Sequence, residues 1–199
     1  MIGTLTKLKF KYNSRMKKTL LLILLIFTTI LSAEENIDLP FTKDSAKYWQ
    51  YISDRTMGGV SDGQAALEQD GEMFFARLTG NVSTKNNGGF IQLRSRFSFA
   101  NFEKDGKKLK GVRLNVRGNG ETYYIFIRTN ETQSPSDYYS ASFEANSSWE
   151  MIDLPFNEFK HRLSNNLKLE GKKIRTFGIL AYGRDFISDV SISKIIFYY

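Results

Sequence analysis

From residue 64 onward, apolar and polar positions alternate with a period of two, and no long stretch carries the stripe of an amphipathic helix. Glu72 to Leu78 reads as a strand closing at Gly80. Phe90 to Phe99 reads as a longer one, with Ile91, Leu93, Ser95 and Phe97 on one face and Gln92, Arg94 and Arg96 on the other. In Gly111 to Arg117, Val112, Leu114 and Val116 point inward, while Arg113, Asn115 and Arg117 point outward. Gly118-Asn119-Gly120 is a turn signal, and Tyr123 to Thr129 is expected to return from it as a hairpin partner. Tyr138 to Phe143 and Trp149 to Leu154 are expected to form a further pair around Asn146-Ser147-Ser148, with Pro155 ending the second strand. Phe156 to Leu163 predicts a short helix; Ile174 to Tyr182 and Ser191 to Tyr199 predict two last strands. About eight strands with turns roughly every 8–12 residues predict an all-β chain folded as an antiparallel sandwich or jelly roll.

The first 33 residues follow a different pattern. Met16-Lys17-Lys18 precedes the apolar stretch Leu20 to Leu31, and Leu31-Ser32-Ala33 offers a small residue before a cut. This predicts a signal peptide over residues 1–33, helical and too short to span a bilayer comfortably, with Met16 a candidate start. It implies a periplasmic or secreted protein, attached to a membrane only if the leader stays uncleaved. A mitochondrial transit peptide is the competing reading, because residues 1–33 contain no acid; the aliphatic block and single Arg15 argue against it. The leader also carries Lys7, Lys9, Lys11, Arg15, Lys17 and Lys18 of the 28 basic residues and none of the 21 acids, so residues 34–199 are nearly neutral. That balance gives no support to a nucleic-acid partner. Without cysteine there is no disulfide, thiolate metal site or thiol nucleophile, so packing must supply the stability. With no repeat or linker, residues 34–199 are expected to form one domain.

Two segments are not explained by alternation: Trp49 to Gly63 (WQYISDRTMGGVSDG) and Gly80 to Arg94 (GNVSTKNNGGFIQLR). Each sets a double glycine, Gly58-Gly59 or Gly88-Gly89, beside an apolar residue with Asp, Asn or Ser nearby. Such pairs allow left-handed or bulged backbone and close approach of a neighbouring strand. These two motifs closely resemble the core signature of the complex I intermediate-associated protein 30 family. GVRLNVRGNGETYYIFIR, YYSASFEANSSWEMIDLPFNEF and IRTFGILAYG resemble the rest of that domain, so the similarity spans roughly residues 40–199. The resemblance implies a galactose-binding-domain-like jelly roll and a binding or assembly role without catalytic residues. The mitochondrial members assemble respiratory complex I, and similar folds serve as carbohydrate-binding modules. A secretory leader would place this chain elsewhere, on an envelope complex.

The candidate site residues fall into two groups. Asp54, Arg55, Met57, Gly58, Gly59, Ser61, Gly88 and Gly89 belong to the signature loops. Asp54 and Arg55 read either as a recognition pair or as a polar clasp in which Asp54 caps backbone N–H groups and Arg55 or Arg94 neutralises it; paired glycines favour the clasp. Met57 is expected to plug the sandwich. Gln92, Arg94, Asn115, Tyr124 and Arg128, with Arg113, Ser140 and Ser142, lie on polar strand faces; Tyr182 joins them as a candidate. As neighbours, those strands would form a platform of amides, guanidinium forks and an aromatic ring, which suits sugars or an acidic protein surface. An ordinary solvated face is the competing reading. The lone His161 is expected at the surface, and no hydrolase, phosphate-cradling or metal-ligand motif occurs. The sequence thus predicts a non-enzymatic binding protein without cofactor or metal, acting on a protein complex or, alternatively, a glycan.

Overall fold

The computed structural model describes residues 36–95 and 107–199. The expected leader helix and residues 96–99 of the expected long strand lie outside them. Twelve strands are present among the described residues: β1 (Ile37–Pro40), β2 (Trp49–Ser53), β3 (Asp62–Asp70), β4 (Met73–Val82), β5 (Phe90–Ser95), β6 (Gly111–Gly118), β7 (Glu121–Thr129), β8 (Tyr139–Ala145), β9 (Glu150–Pro155), β10 (Lys160–His161), β11 (Ile174–Tyr182) and β12 (Phe186–Tyr198). They pair antiparallel throughout into two sheets. The first has the order β3-β4-β12-β6-β9, and the second β10-β8-β7-β11-β5-β2. β12 anchors the first sheet. Its one edge takes β4 over Phe186–Ile192 and then β1 over Lys194–Phe197, while β6 runs along the other.

Both sheets bury the faces that alternation assigns to the interior. Val112, Leu114 and Val116 of β6 meet Tyr123, Ile125 and Ile127 of β7, all fully buried in one core. Each such aliphatic side chain contributes about 1.5–3 kcal/mol. The hydrophobic layer is therefore the main source of stability in a chain without disulfides.

The expected hairpins do not form. β6 and β7 belong to different sheets, and so do β8 and β9. Gly118-Asn119-Gly120 and Asn146-Ser147-Ser148 are arches between sheets, and they bond each other: Gly118 N–H donates to Asn146 O at 2.6 Å and Gly120 N–H to Ala145 O at 2.8 Å. Period two tells which side of a strand is buried, but both strands of a crossing bury one side equally well. Short arches and hairpin turns also draw on the same residue types.

Three other local expectations need correction. Phe156 to Leu163 is a 3-10 turn at Phe156–Glu158 followed by the edge strand β10, since Phe156 and Phe159 are both drawn into the core. Met57 does not plug the sandwich; it is 65% exposed at the end of a 3-10 turn. His161 is buried rather than at the surface, sharing a hydrogen bond of 2.6 Å with Asp137 and meeting the Tyr139 ring edge-on at 4.7 Å.

Candidate functional site

The two glycine-rich motifs converge on one carboxylate. Asp54 is fully buried, and its Oδ1 accepts from Ser61 N–H at 2.9 Å. Its Oδ2 accepts from Ser61 Oγ–H at 2.5 Å, Gly89 N–H at 2.6 Å and Phe90 N–H at 3.2 Å. Burial alone would raise this carboxyl's pKa, but the donors outweigh it and hold the group below its ordinary range. The glycines divide the labour. Gly58 and Gly89 supply positive φ values of 88° and 123°. Gly59 and Gly88 supply room, because a Cβ on either would run into the Asp54 carboxyl group. Neither arginine neutralises Asp54: Arg55 Nε donates to Ser61 O at 3.1 Å, and Arg94 points elsewhere. Asp54, Ser61 and the four glycines thus act as a clasp that shapes the loops bearing Thr56 and Met57.

Those loops border a cleft of about 770 Å³ on the outer face of the second sheet. The strand register explains its composition. Gln92 of β5 stands beside Leu180 of β11, and Arg94 stands beside Gly178, which in turn faces Phe126 of β7. Gly178 leaves a gap in this face, and the Gln92 amide fills it; a Cβ there would collide with Gln92 Nε2. Phe126 stacks on Tyr138 at 3.9 Å between centroids with planes 17° apart, and Tyr182 meets Phe126 edge-on at 5.2 Å. With Leu180 these rings form a second apolar cluster outside the sandwich core.

Planar donors stand against this aromatic bed. Gln92 is only 1% exposed, and its Oε1 accepts from Arg94 Nη2 at 3.0 Å. Arg128 is 9% exposed, and its Nη2 donates to Pro135 O at 2.8 Å. Gln92 Nε2, Arg94 Nε and Arg128 Nη1 are buried without a hydrogen-bond partner among the described residues. Burial lowers the pKa of both guanidinium groups; for Arg128, burial and then the neighbouring Arg94 charge push it down to about 10. On the rim, Arg162 Nη1 donates to Tyr138 Oη at 2.9 Å.

Of the platform residues expected from alternation, Gln92, Arg94, Arg128 and Tyr182 do meet in the cleft. Asn115 does not: it lies on β6 in the other sheet and donates to Ser193 Oγ at 2.7 Å. Arg113 lies there too, paired with Asp153. Tyr124 sits just outside the cleft, lining a shallow depression with Ser140 and Ser142 while its ring meets Tyr182 at 5.7 Å. Sequence reasoning missed Phe126 and Tyr138. Both had a signal: Phe126 falls between Tyr124 and Arg128 on the same face of β7, and Tyr138 falls two residues before Ser140 on the polar face of the expected strand Tyr138 to Phe143. Among the described residues no cluster of three or more metal-ligating side chains occurs, and no carboxylate lines the cleft.

A profile of the family described as "Complex I intermediate-associated protein 30 (CIA30)" matches residues 39–189, which include both glycine motifs and every residue lining the cleft. The chain belongs to this family. No curated protein matches its sequence significantly. Among solved structures, this family member is similar to the family 11 carbohydrate-binding module of the cellulosomal cellulase Lic26A-Cel5E of Clostridium thermocellum. The two share 13% identity with a TM-score of 0.63, over 84% of this chain and 96% of that one. A family 11 module from Clostridium thermocellum in complex with a β-1,3-1,4-mixed-linked tetrasaccharide gives 14% identity and a TM-score of 0.62, over 84% and 97% of the two chains. The shared feature is the galactose-binding-like jelly-roll fold.

Proposed function

We propose that this chain is a non-catalytic binding protein that holds a saccharide chain in the outer cleft of its second sheet, acting outside the cytoplasm after export by its leader. The cleft's composition carries the reading. Apolar rings at Phe126, Tyr138 and Tyr182 suit the hydrophobic faces of pyranose rings, and the Gln92, Arg94 and Arg162 donors suit their hydroxyls. A volume of about 770 Å³ accommodates a short oligosaccharide within the usual range for ligand pockets, roughly 300–1,000 Å³. That a related fold is found with a tetrasaccharide supports the same class of ligand here. The test is calorimetric titration with neutral and acidic oligosaccharides of three to six residues. Binding that weakens about tenfold or more in Tyr182→Ala supports the cleft; failure of every oligosaccharide to bind at millimolar concentration overturns it.

A second reading is assembly of a protein complex at the envelope, in keeping with the family. It is favoured by one observation: Met57 and Val60 are exposed, 65% and 41%, on the loop that the Asp54 hydrogen bonds tie down. Exposed apolar residues on such a loop suit a protein contact. Affinity capture from gently solubilised membranes, compared between the parent and Met57→Ser/Val60→Ser, decides it. Recovery of a defined complex by the parent alone supports assembly, and equal recovery by both removes the loop from the argument.

A further inference from the structure

The arginines of the second sheet differ from those of the first in what surrounds them. On the first sheet Arg77 makes a bidentate pair with Asp189, 2.8 Å for each bond, and Arg113 pairs with Asp153. Arg94 and Arg128 have no acid within ion-pair distance among the described residues, although both are far more enclosed. The one acid whose charge reaches Arg128, Asp137, is already bound to His161 and to the Gln133 N–H. Next to the cleft lies a depression of about 300 Å³, lined by Arg94, Arg128 and Arg175 with Thr132, Gln133 and Ser134. Three guanidinium groups, two of them shared with the cleft, therefore converge on one space without a carboxylate.

Like charges crowded and partly desolvated cost free energy unless something compensates. A structural role would place a carboxylate between them, as the first sheet does. The missing element is an anion, and the planar forks match a planar carboxylate best. We infer that the Arg94–Arg128–Arg175 depression is an acid subsite that takes the carboxylate of a uronic acid residue in the saccharide held by the adjoining cleft. The inference rests on the saccharide reading above and names the class of sugar. The unpartnered Arg128 Nη1 and Arg94 Nε are the donors the ligand recruits, with Arg94 exchanging its single bond to Gln92 for the carboxylate. A sugar chain is favoured over an acidic peptide because the depression opens beside an aromatic bed rather than a free strand edge.

The test uses uronate oligosaccharides of three to six residues (galacturonate, glucuronate and mannuronate series), each paired with its methyl ester, a neutral mixed-linked glucan oligosaccharide and an oligoglutamate peptide. Esterification removes the charge and leaves the sugar in place. The expected result is binding of at least one uronate about tenfold or more tighter than its ester. A loss of about tenfold to a hundredfold is expected in Arg94→Gln and in the exposed variant Arg175→Gln, the latter with an unchanged thermal melt. Arg128→Gln is informative only if its melt shows it folded; Arg175→Gln does not depend on the packing. Equal binding of acid and ester overturns the acid subsite and leaves the saccharide reading standing. Absence of binding by uronates, esters and glucan alike overturns both. Binding of the oligoglutamate with no uronate bound also overturns the inference and assigns the arginines to an acidic protein segment.

Discussion

Replacing Asp54 with asparagine changes one atom of the clasp and should lower the melting temperature of the fold by about 5–10 °C. In the best orientation the asparagine carbonyl oxygen takes the place of Oδ2 and keeps the Ser61 hydroxyl, Gly89 and Phe90 donors. The amide nitrogen then occupies the place of Oδ1 and points at the Ser61 N–H, donor against donor. Leaving that buried N–H unsatisfied costs about 1–3 kcal/mol. The three bonds that survive pass from charge-assisted to neutral and lose about half their strength, roughly 2 kcal/mol together. Relief from burying a carboxylate returns about 1–2 kcal/mol. The net expectation is a loss of about 2–3 kcal/mol, which at roughly 2–4 °C per kcal/mol lowers the melting temperature by about 5–10 °C. Urea unfolding followed by circular dichroism measures it, and the midpoint should fall while the slope stays the same. Asp54→Ala should lose more, because the Ser61, Gly89 and Phe90 N–H donors are all stranded, while the Ser61 hydroxyl can still turn to Ser83 O. Asp62→Asn, at an exposed carboxylate paired with the exposed Arg55, should stay within about 0.5 kcal/mol of the parent. If Asp54→Asn also stayed within that margin, the clasp would not be holding the loops, and the account of Gly59 and Gly88 as room for its carboxyl would lose its force.

Other outcomes follow from the same contacts. Asp189, through its bonds from Arg77, and Asp54, through donors that outweigh its burial, both sit below the ordinary 3.8 in the fold. Groups depressed in this way stabilise the fold at pH values above 3.8 and lose that contribution as pH falls through their folded values. Stability should therefore decline below about pH 4, with no contribution from this pair to any change between pH 5 and 7, as urea midpoints across a pH series would show. Gly178→Ala should displace the Gln92 amide and cost about 1–3 kcal/mol in urea unfolding. Met57→Ser should change stability by less than about 0.5 kcal/mol in a thermal melt, since the side chain is already in water.

Much of the sandwich is written in the alternation. Val112, Leu114 and Val116 are buried as their spacing predicts, and Ile174 to Tyr182 is a strand over the predicted residues. The partners of those strands are not legible, because an arch such as Gly118-Asn119-Gly120 and a hairpin turn use the same glycine and asparagine. The strands β1, β2 and β3 escaped notice for a different reason. β3 contains Gln64, Ala65, Ala66 and Leu67, a run in which the small alanines blur the apolar-polar contrast. At the site, the signature loops could be recognised as special without revealing why: Gly59 and Gly88 make sense only once Asp54 is seen lying across both. Met57 and His161 show the limit most plainly. Each was read from its own hydrophobicity, while its actual place depends on a turn or an acid distant in the sequence.

The thirteen residues of β12 have a consequence for the order in which the chain can fold. β1, β4 and β6 are separated by tens of residues, and none of them pairs with another in the first sheet except through β12. During synthesis, β1, β4 and β6 therefore emerge with the edges that will face β12 open, and the sheet closes in one late step when its central strand arrives. Pairings this distant in sequence belong to the slow end of two-state folding, on the order of milliseconds to seconds. Until then, the unpaired edges of β4 and β6 offer ladders to any neighbouring chain. A nascent chain of this kind has reason to be shielded until β12 is delivered, and loss of that strand alone would turn a folded sandwich into an aggregating chain.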